Sequence, residues 1–540
     1  MAVETFDAPT LGVDLESAPV RIGKGYASQS TNLLPGYKGR APVRGPLITS
    51  AEFSPVVSTP RAVWAHPNGF LLSHEGGGTT CSTISADFSS ASASAAVASA
   101  AHIPGPAYVN VGPYVYGIGW PVATSQNITH LLRWDGTPAG VTFAGSVVKY
   151  NNIPWAGIFS GTTGAYMRGI AHWLQRLWVL TETNDSSNAT FGLVLHWTDP
   201  FAPDTALADT AAVWQDDASG LTNTVVLDVP SGFVSGKALM PIGRALGVFT
   251  SDAVYMVRGG SPSNIAVRRE LYRGVISNKS VLQYDDGVIF VSADGVYYYD
   301  GAQLVDLSEN IKTKFERGTY SDASIMSLGR DYVAVTLVSQ ATSQPTWAGI
   351  LHVPSRAWTE LKADANIWND QYPAFVGGRT SAPVAADDQR LWKLDTIVRP
   401  KGPVSGTVQM GRDVKSGTFR SIVATATTRC VRLAGPLVSA TIKRLYADYI
   451  QNTAGTPDAS AGWSFVLRDS TKTKTLATVT VADTDDSVAG LRHRHIAEPN
   501  VETEELFVEA TFTGSTTANY EAELHDMFVE FEPAQRPASF

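Results

Sequence analysis

Residues 284–307 read YDDGVIFVSADGVYYYDGAQLVDL. Asp286-Gly287 precedes the apolar run Val288-Ile289-Phe290-Val291, and Asp294-Gly295 precedes Val296-Tyr297-Tyr298-Tyr299. A third turn pair, Asp300-Gly301, leads into Gln303-Leu304-Val305-Asp306-Leu307. Asp-Gly between β-branched or aromatic runs is the strongest short-range hairpin signal, because the turn needs φ > 0 and the flanks need a pleated surface. The stretch is therefore expected to be a small antiparallel meander.

Looser versions of this unit recur along the first 400 residues. Strands are expected at 61–65, 70–73, 108–111, 115–119, 130–134, 177–180, 192–197, 246–249, 253–257, 332–337, 348–353 and 390–394. Many end in an aromatic followed by a polar turn, as in Leu131-Leu132-Arg133-Trp134-Asp135-Gly136 and Leu195-His196-Trp197-Thr198-Asp199-Pro200. Taking Trp134, Trp197, Tyr255, Tyr299, Val353 and Leu394 as equivalent points gives spacings of 63, 58, 44, 54 and 41. Units of roughly 40–50 residues with loop insertions give a β-propeller. The expectation is all-β: a propeller of about six blades, within a range of five to seven, over 61–399.

The flanks differ from this pattern. Residues 1–60 carry Pro9, Pro19, Pro35, Pro42, Pro46, Pro55 and Pro60 with weak periodicity, which predicts an extended N-terminal arm running over a surface. After Pro400, Gly402 and Pro403, strands resume at 418–425, 440–450, 464–468, 474–482, 505–512 and 521–532. Leu506-Phe507-Val508-Glu509-Ala510-Thr511-Phe512 alternates cleanly, as one wet and one buried face require. A separate antiparallel β-sandwich is expected over 400–540. Residues 86–102 are almost pure Ser and Ala and are expected to be a loop or single helix inserted in a blade. A short helix capped by Ser308 is expected over 308–317.

The bulk numbers exclude several classes. With 540 residues and 44% hydrophobic content, the chain can bury large cores, and disorder is not expected. A net charge of -9 and a pI near 5.6 argue against a general nucleic-acid binder. Cys81 and Cys430 stand far apart and are expected to be buried free thiols, since no disulfide framework can be built from them. The acidic start MAVETFDAPTLGVDLE has neither a basic n-region nor an apolar h-region, so no signal peptide is expected. No apolar run reaches the length of a membrane-spanning helix.

The motif scan returns little chemistry. Gly23/Gly25 and Gly117/Gly119 are lone GxG pairs without the rest of a phosphate-binding fingerprint, and neither GxSxG nor HExxH occurs. His493 and His495 form an HxH pair with no third metal ligand in view. Asp483, Asp485 and Asp486 lack the glycine and terminal glutamate of a calcium loop and fit a solvated turn better. The sequons at Asn127 and Asn188 mean little without a secretory signal. No catalytic, cofactor-binding or metal residues are assigned, and no cofactor is expected.

Three elements in this order, Asn32-Leu33 leading to Arg40, then Val254-Tyr255-Met256-Val257-Arg258-Gly259, then Gly287 through Tyr297, carry a resemblance. The chain resembles the β-propeller tail hub or nozzle proteins of tailed bacteriophages, especially short-tailed ones, over about residues 20–400. The resemblance implies a non-enzymatic virion protein of the tail, assembled in the host cytoplasm. It implies six copies in a ring below the portal and adaptor proteins, closing and conducting the DNA channel without sequence recognition and anchoring fibres or spikes. Asn32, Arg40 and Arg44 are the candidate residues for docking to another subunit or to the adaptor, and residues 11–48 are expected to pack on a neighbour. Two other classes compete. A propeller-type polysaccharide-degrading or carbohydrate-binding tail protein would need axial carboxylates a few ångströms apart. A kelch- or WD-like cellular scaffold would need a more regular repeat.

Overall fold

A computed structural model of the chain describes residues 1–18, 21–37, 40–44, 47–48, 60–74, 80–85, 95–96, 102–121, 130–137, 147–150, 165–185, 190–215, 223–229, 234–259, 264–316, 319–328, 331–342, 344–363, 374–375, 384–387, 390–394, 412–415, 418–434, 438–454, 458, 460–482, 492–515 and 519–534. The chain is all-β and propeller-like. Seven antiparallel meanders follow one another. The Asp-Gly stretch is the fifth, formed by Val281–Tyr284, Gly287–Ser292, Gly295–Tyr299 and Leu304–Asp306. Its central strand is buried at every position, as both faces meet neighbouring sheets.

The first strand of each unit packs beside the first strand of the next, from Pro60–His66 through His102–Val111, Ala165–Trp173, Gly236–Ile242, Val281–Tyr284, Tyr320–Ser327 and Ala374–Phe375. These inner strands form one row, with an axis running along the strands. The sequence markers predict about six units because they fall in or just after the third strands of units two to seven. The first unit's third strand, Thr80–Ser85, reads TCSTIS and carries no aromatic. That unit is present all the same.

Aromatics fill the spaces between sheets. Trp64, Trp134, Trp178 and Trp358 are all essentially buried. Burying such a ring removes roughly 150–250 Å² from water, about 4–6 kcal/mol at ~25 cal/mol per Å². Gly117, half of a lone GxG pair, is a packing glycine: a Cβ there would stand 2.4 Å from the Trp64 ring.

Beyond the meanders, two antiparallel sheets face each other. One holds Ala2–Phe6, Asn519–Pro533, Ala440–Ala454 and His493–Ala497 in that order. The other holds Val423–Thr427, Glu505–Thr513, Gly462–Arg468 and Thr475–Ala482. One hydrophobic cluster joins them, including Leu445, Tyr449, Trp463, Phe465, Val508 and Phe512. Tyr449 of the first sheet meets Phe465 of the second at 6.3 Å between ring centroids.

The described residues of the N-terminal arm pack on their own chain. Gln29–Thr31 lies between Ala357–Glu360 of the sixth meander, parallel, and Val423–Thr427, antiparallel. Leu47–Ile48 lies between Arg390–Leu394 of the seventh meander and Arg412–Lys415. The arm thus supplies the strand that continues each of two sheets from the meanders into the C-terminal region. The physical reason is backbone hydrogen bonding: an extended proline-rich segment has unpaired N–H and C=O groups, and two adjacent sheet edges satisfy both sides.

The helix expected over 308–317 is a 3₁₀ turn, Glu309–Ile311, running into Lys312–Glu316. Ser308 does not cap it. Its hydroxyl accepts from the Val296 N–H at 3.0 Å and donates to Asp306 Oδ1 at 2.8 Å, so it ties the turn to the fifth meander. Of the Ser/Ala tract, only Ala95–Ala96 and His102 lie within the described residues, both in strands. The Pro400–Pro403 linker lies outside them.

Candidate functional site

The penultimate residues of four consecutive inner strands are Asn110, His172, Pro241 and Gln283. Together with Tyr108, Val109, Ala171 and Met240 they line a half-enclosed cavity of about 230 Å³ at one end of the axis. Such placement follows from strand geometry, because inner strands run alongside one another and present corresponding positions in one layer. Asn110 and Gln283 are exposed at the rim, and His172 is half-buried. The His172 ring meets Phe201 edge-on at 5.8 Å. Burial lowers the His172 pKa below the ordinary histidine value, which favours the neutral ring. Its Nε2 is buried without a hydrogen-bond partner among the described residues.

The loop carrying Phe201 is fixed from three sides. The Phe201 N–H donates to the Gln175 carbonyl at 2.9 Å. The carbonyl of Pro203 lies so close to Gly112 that a Cβ there would stand 2.1 Å away, and Gly112 has φ +55. The Leu207 N–H donates to the Tyr116 hydroxyl at 2.9 Å. These contacts join the second and third meanders beside the cavity and hold the His172 ring in place.

The opposite end of the same strands is charged. Arg168 forms two hydrogen bonds to Glu182, both 3.1 Å. Glu182 also accepts from Ser235 Oγ at 2.9 Å and from the Gly236 N–H at 3.1 Å. Lys279 pairs with Asp322 at 3.0 Å. Lys237 titrates below an ordinary lysine, chiefly because it is partly buried and secondly because Arg168 is near. Both carboxylates are paired with cations, Glu182 with Arg168 and Asp322 with Lys279. No group of three or more His, Cys, Asp and Glu among the described residues could hold a metal ion.

The three predicted docking residues lie elsewhere, at the seam between the arm, the sixth meander and the C-terminal sheets. Asn32, at φ 58, donates from Nδ2 to the Lys362 carbonyl at 2.9 Å and to the Val423 carbonyl at 2.8 Å. Its Oδ1 accepts from the Lys362 N–H at 3.0 Å and from Arg44 Nε at 2.9 Å. Arg44 is 1% exposed. Arg40 pairs with Glu523 at 3.0 Å, its side chain 42% exposed, and stacks over Tyr37. Asn32 and Arg44 are thus brought together inside the chain, and Arg40 remains partly open to solvent. The HxH pair sits on the strand His493–Ala497, with His493 beside Tyr449 at 5.9 Å. Asp483, Asp485, Asp486, Asn127 and Asn188 lie outside the described residues. Cys81 and Cys430 are both free and buried, as expected.

Sequence reasoning misses Asn110, His172 and Gln283 as a group. The signal is positional: each is the last residue but one of a first strand. Of the three strands, only that of Asn110 overlaps one expected from sequence.

No family model matches the chain, and no curated protein matches it. Among solved structures, it is similar to an acylaminoacyl peptidase in complex with Z-Gly-Gly-Phe-chloromethyl ketone, at TM-score 0.35 and 10% identity over 71% of this chain and 59% of that one. It is also similar to BBS1N in complex with ARL6DN, at TM-score 0.33 and 8% identity over 66% of this chain and 98% of that one. The Pyrococcus horikoshii acylaminoacyl peptidase scores 0.35 at 10% identity over 70% and 59%. The chain spans 59% of the length of the peptidase chains it matches. At these scores the likenesses carry no functional argument.

Proposed function

We propose that this chain is a structural protein of a bacteriophage tail, a nozzle or hub subunit that forms a ring below the portal and adaptor. In this reading the seven meanders are the blades of one closed propeller, and the two facing sheets are a β-sandwich. The protein is non-enzymatic and anchors fibres or spikes around a DNA channel. The observation that carries it is the arm's position. Gln29–Thr31 and Leu47–Ile48 continue two separate sheets from the meanders into the C-terminal region. Domains joined by shared sheets resist relative motion, whereas a flexible linker permits it. Such a stiff block suits a part that must hold pressure and transmit load. The sequence motifs around Asn32, Val254–Arg258 and Gly287–Ser292 support the tail assignment in particular.

The polysaccharide-cleaving alternative calls for a pair of unpaired axial carboxylates, one to donate a proton. Glu182 and Asp322 are instead bound to Arg168 and Lys279. Electron microscopy of the purified protein, with mass measured on the same sample, tests the proposal. A six-fold ring near 346 kDa, six times 57.6 kDa, is the expected result. Density of a phage particle that puts this chain in the capsid shell, or outside the virion, overturns it.

A further inference from the structure

We propose that the cavity closed by Asn110, His172, Pro241 and Gln283 is a binding site for a neutral, polyhydroxylated molecule about the size of one sugar ring. This goes beyond the tail-subunit reading and does not depend on it. Three observations carry it.

Size comes first. At about 230 Å³ the cavity is smaller than the ~300–1,000 Å³ pockets that hold drug-sized ligands. It admits a single small ring or the end of a longer chain. The walls are largely apolar, with Val109, Ala171, Met240, Pro241 and the Tyr108 ring among them, so a ring with C–H faces has surface to lie against.

The polar groups are the second observation. A side-chain amide offers both donors and acceptors, and so does a hydroxyl. Asn110 and Gln283 stand at the rim on strands three units apart in the series of meanders, with His172 and Pro241 on the two strands between them. The His172 Nε2 is already desolvated and has no partner among the described residues. His172 itself lines the cavity and is half-buried, so its ring resonances report whether the cavity is filled.

The third is the distribution of charge along the axis. Among the described residues, no Asp, Glu, Lys or Arg lines this cavity. Arg168, Lys237, Lys279, Glu182 and Asp322 gather at the other end of the same strands. A phosphate or carboxylate would enter a neutral, half-apolar cavity without a counter-charge, which is unfavourable. A neutral hydroxylated ligand meets no such penalty.

The test uses the full chain labelled at histidine and followed by NMR, titrated with glucose, galactose, mannose and N-acetylglucosamine, then with maltotriose, and with sodium sulfate as the anionic control. A saturable shift of the His172 ring with at least one sugar, and none with sulfate, is the expected result. Binding of a monosaccharide with exclusion of maltotriose identifies a free small ligand. Equal or tighter binding of maltotriose identifies a chain end. Replacing both rim amides (Asn110→Ala with Gln283→Ala) removes two neutral hydrogen-bonding groups and should weaken binding about tenfold. Lys237→Gln, at the far end, should leave it unchanged. The proposal is overturned if no sugar moves the His172 resonance, if sulfate moves it as much as the sugars do, or if the double variant binds with unchanged affinity. Should the double variant fail to fold, the wild-type sugar and sulfate titrations decide the matter by themselves.

Discussion

Arg44 donates from Nε to the Oδ1 of Asn32 at 2.9 Å, twelve residues back along the arm, and both side chains are almost wholly buried. Asn32 has φ 58, in the left-handed region that asparagine tolerates better than most residues. From there its amide reaches Lys362 on one side and Val423 on the other. One side chain therefore joins the arm, the end of the sixth meander and the start of the C-terminal sheets.

Asn32→Ala should destabilise the protein by about 2–4 kcal/mol. It leaves the Lys362 and Val423 backbone groups short of partners and deprives a buried guanidinium of an acceptor. Urea unfolding of both proteins checks this, and a loss under about 0.5 kcal/mol would show that the seam is not held here.

Removing residues 1–48 should cost the fold and not merely assembly. Two sheets would lose an interior strand, and Phe6, Ala8, Leu33 and Ala41 would leave the C-terminal core. The expected signs are an earlier thermal transition and rapid proteolysis between the meanders and the C-terminal sheets. A truncated protein as resistant as the full chain would return the arm to the role of a docking tail.

Gly117→Ala should lower stability by about 1–3 kcal/mol, the usual range for overpacking. The new methyl meets Trp64, whose ring is fully buried and whose Nε1 donates to the Gly105 carbonyl at 2.7 Å. The ring has little freedom to retreat. The urea midpoint should fall, with tryptophan fluorescence altered in the native state.

Stability should decline as pH falls from 6.5 toward 4.5. His196 is buried beside Thr181, and loss of hydration depresses its pKa to about 3. His66, His172 and His352 are lowered for the same leading reason. An unfolded histidine titrates near 6.5. Below that pH the unfolded chain takes up protons that the folded chain refuses. The stability is therefore fully present above 6.5 and is lost as pH drops toward the folded values. The slope is at most about 1.4 kcal/mol per pH unit for each histidine. His196→Gln should flatten the dependence of the urea midpoint between pH 6.5 and 4.5, a window above most carboxylate titration. An unchanged slope would mean that His196 titrates normally.

Local signals in the sequence are enough for the all-β class, the fifth meander and the alternating strands near the C-terminus. Asp-Gly turns fix hairpins through backbone conformation alone, and alternation in 506–512 reports a half-buried face without reference to any partner. Seven meanders lie within the expected range of five to seven, and the central figure of six sits one below because Thr80–Ser85 carries no aromatic marker. The inner strands Ala165–Trp173, Gly236–Ile242, Val281–Tyr284 and Tyr320–Ser327 were not among the strands expected from sequence.

Tertiary structure alone decided where the arm goes and which residues meet at the axis. Nothing near Gln29 or Leu47 in sequence names the strands Ala357–Glu360, Val423–Thr427, Arg390–Leu394 or Arg412–Lys415 as their neighbours. Backbone pairing is indifferent to side-chain identity, so a short extended segment fits any open edge that the rest of the fold brings within reach. Asn110, His172 and Gln283 likewise share a cavity only because four consecutive inner strands, that of Pro241 among them, stand side by side. Turn chemistry and alternation are local and legible in sequence, whereas edge pairing and axial convergence depend on how distant segments pack.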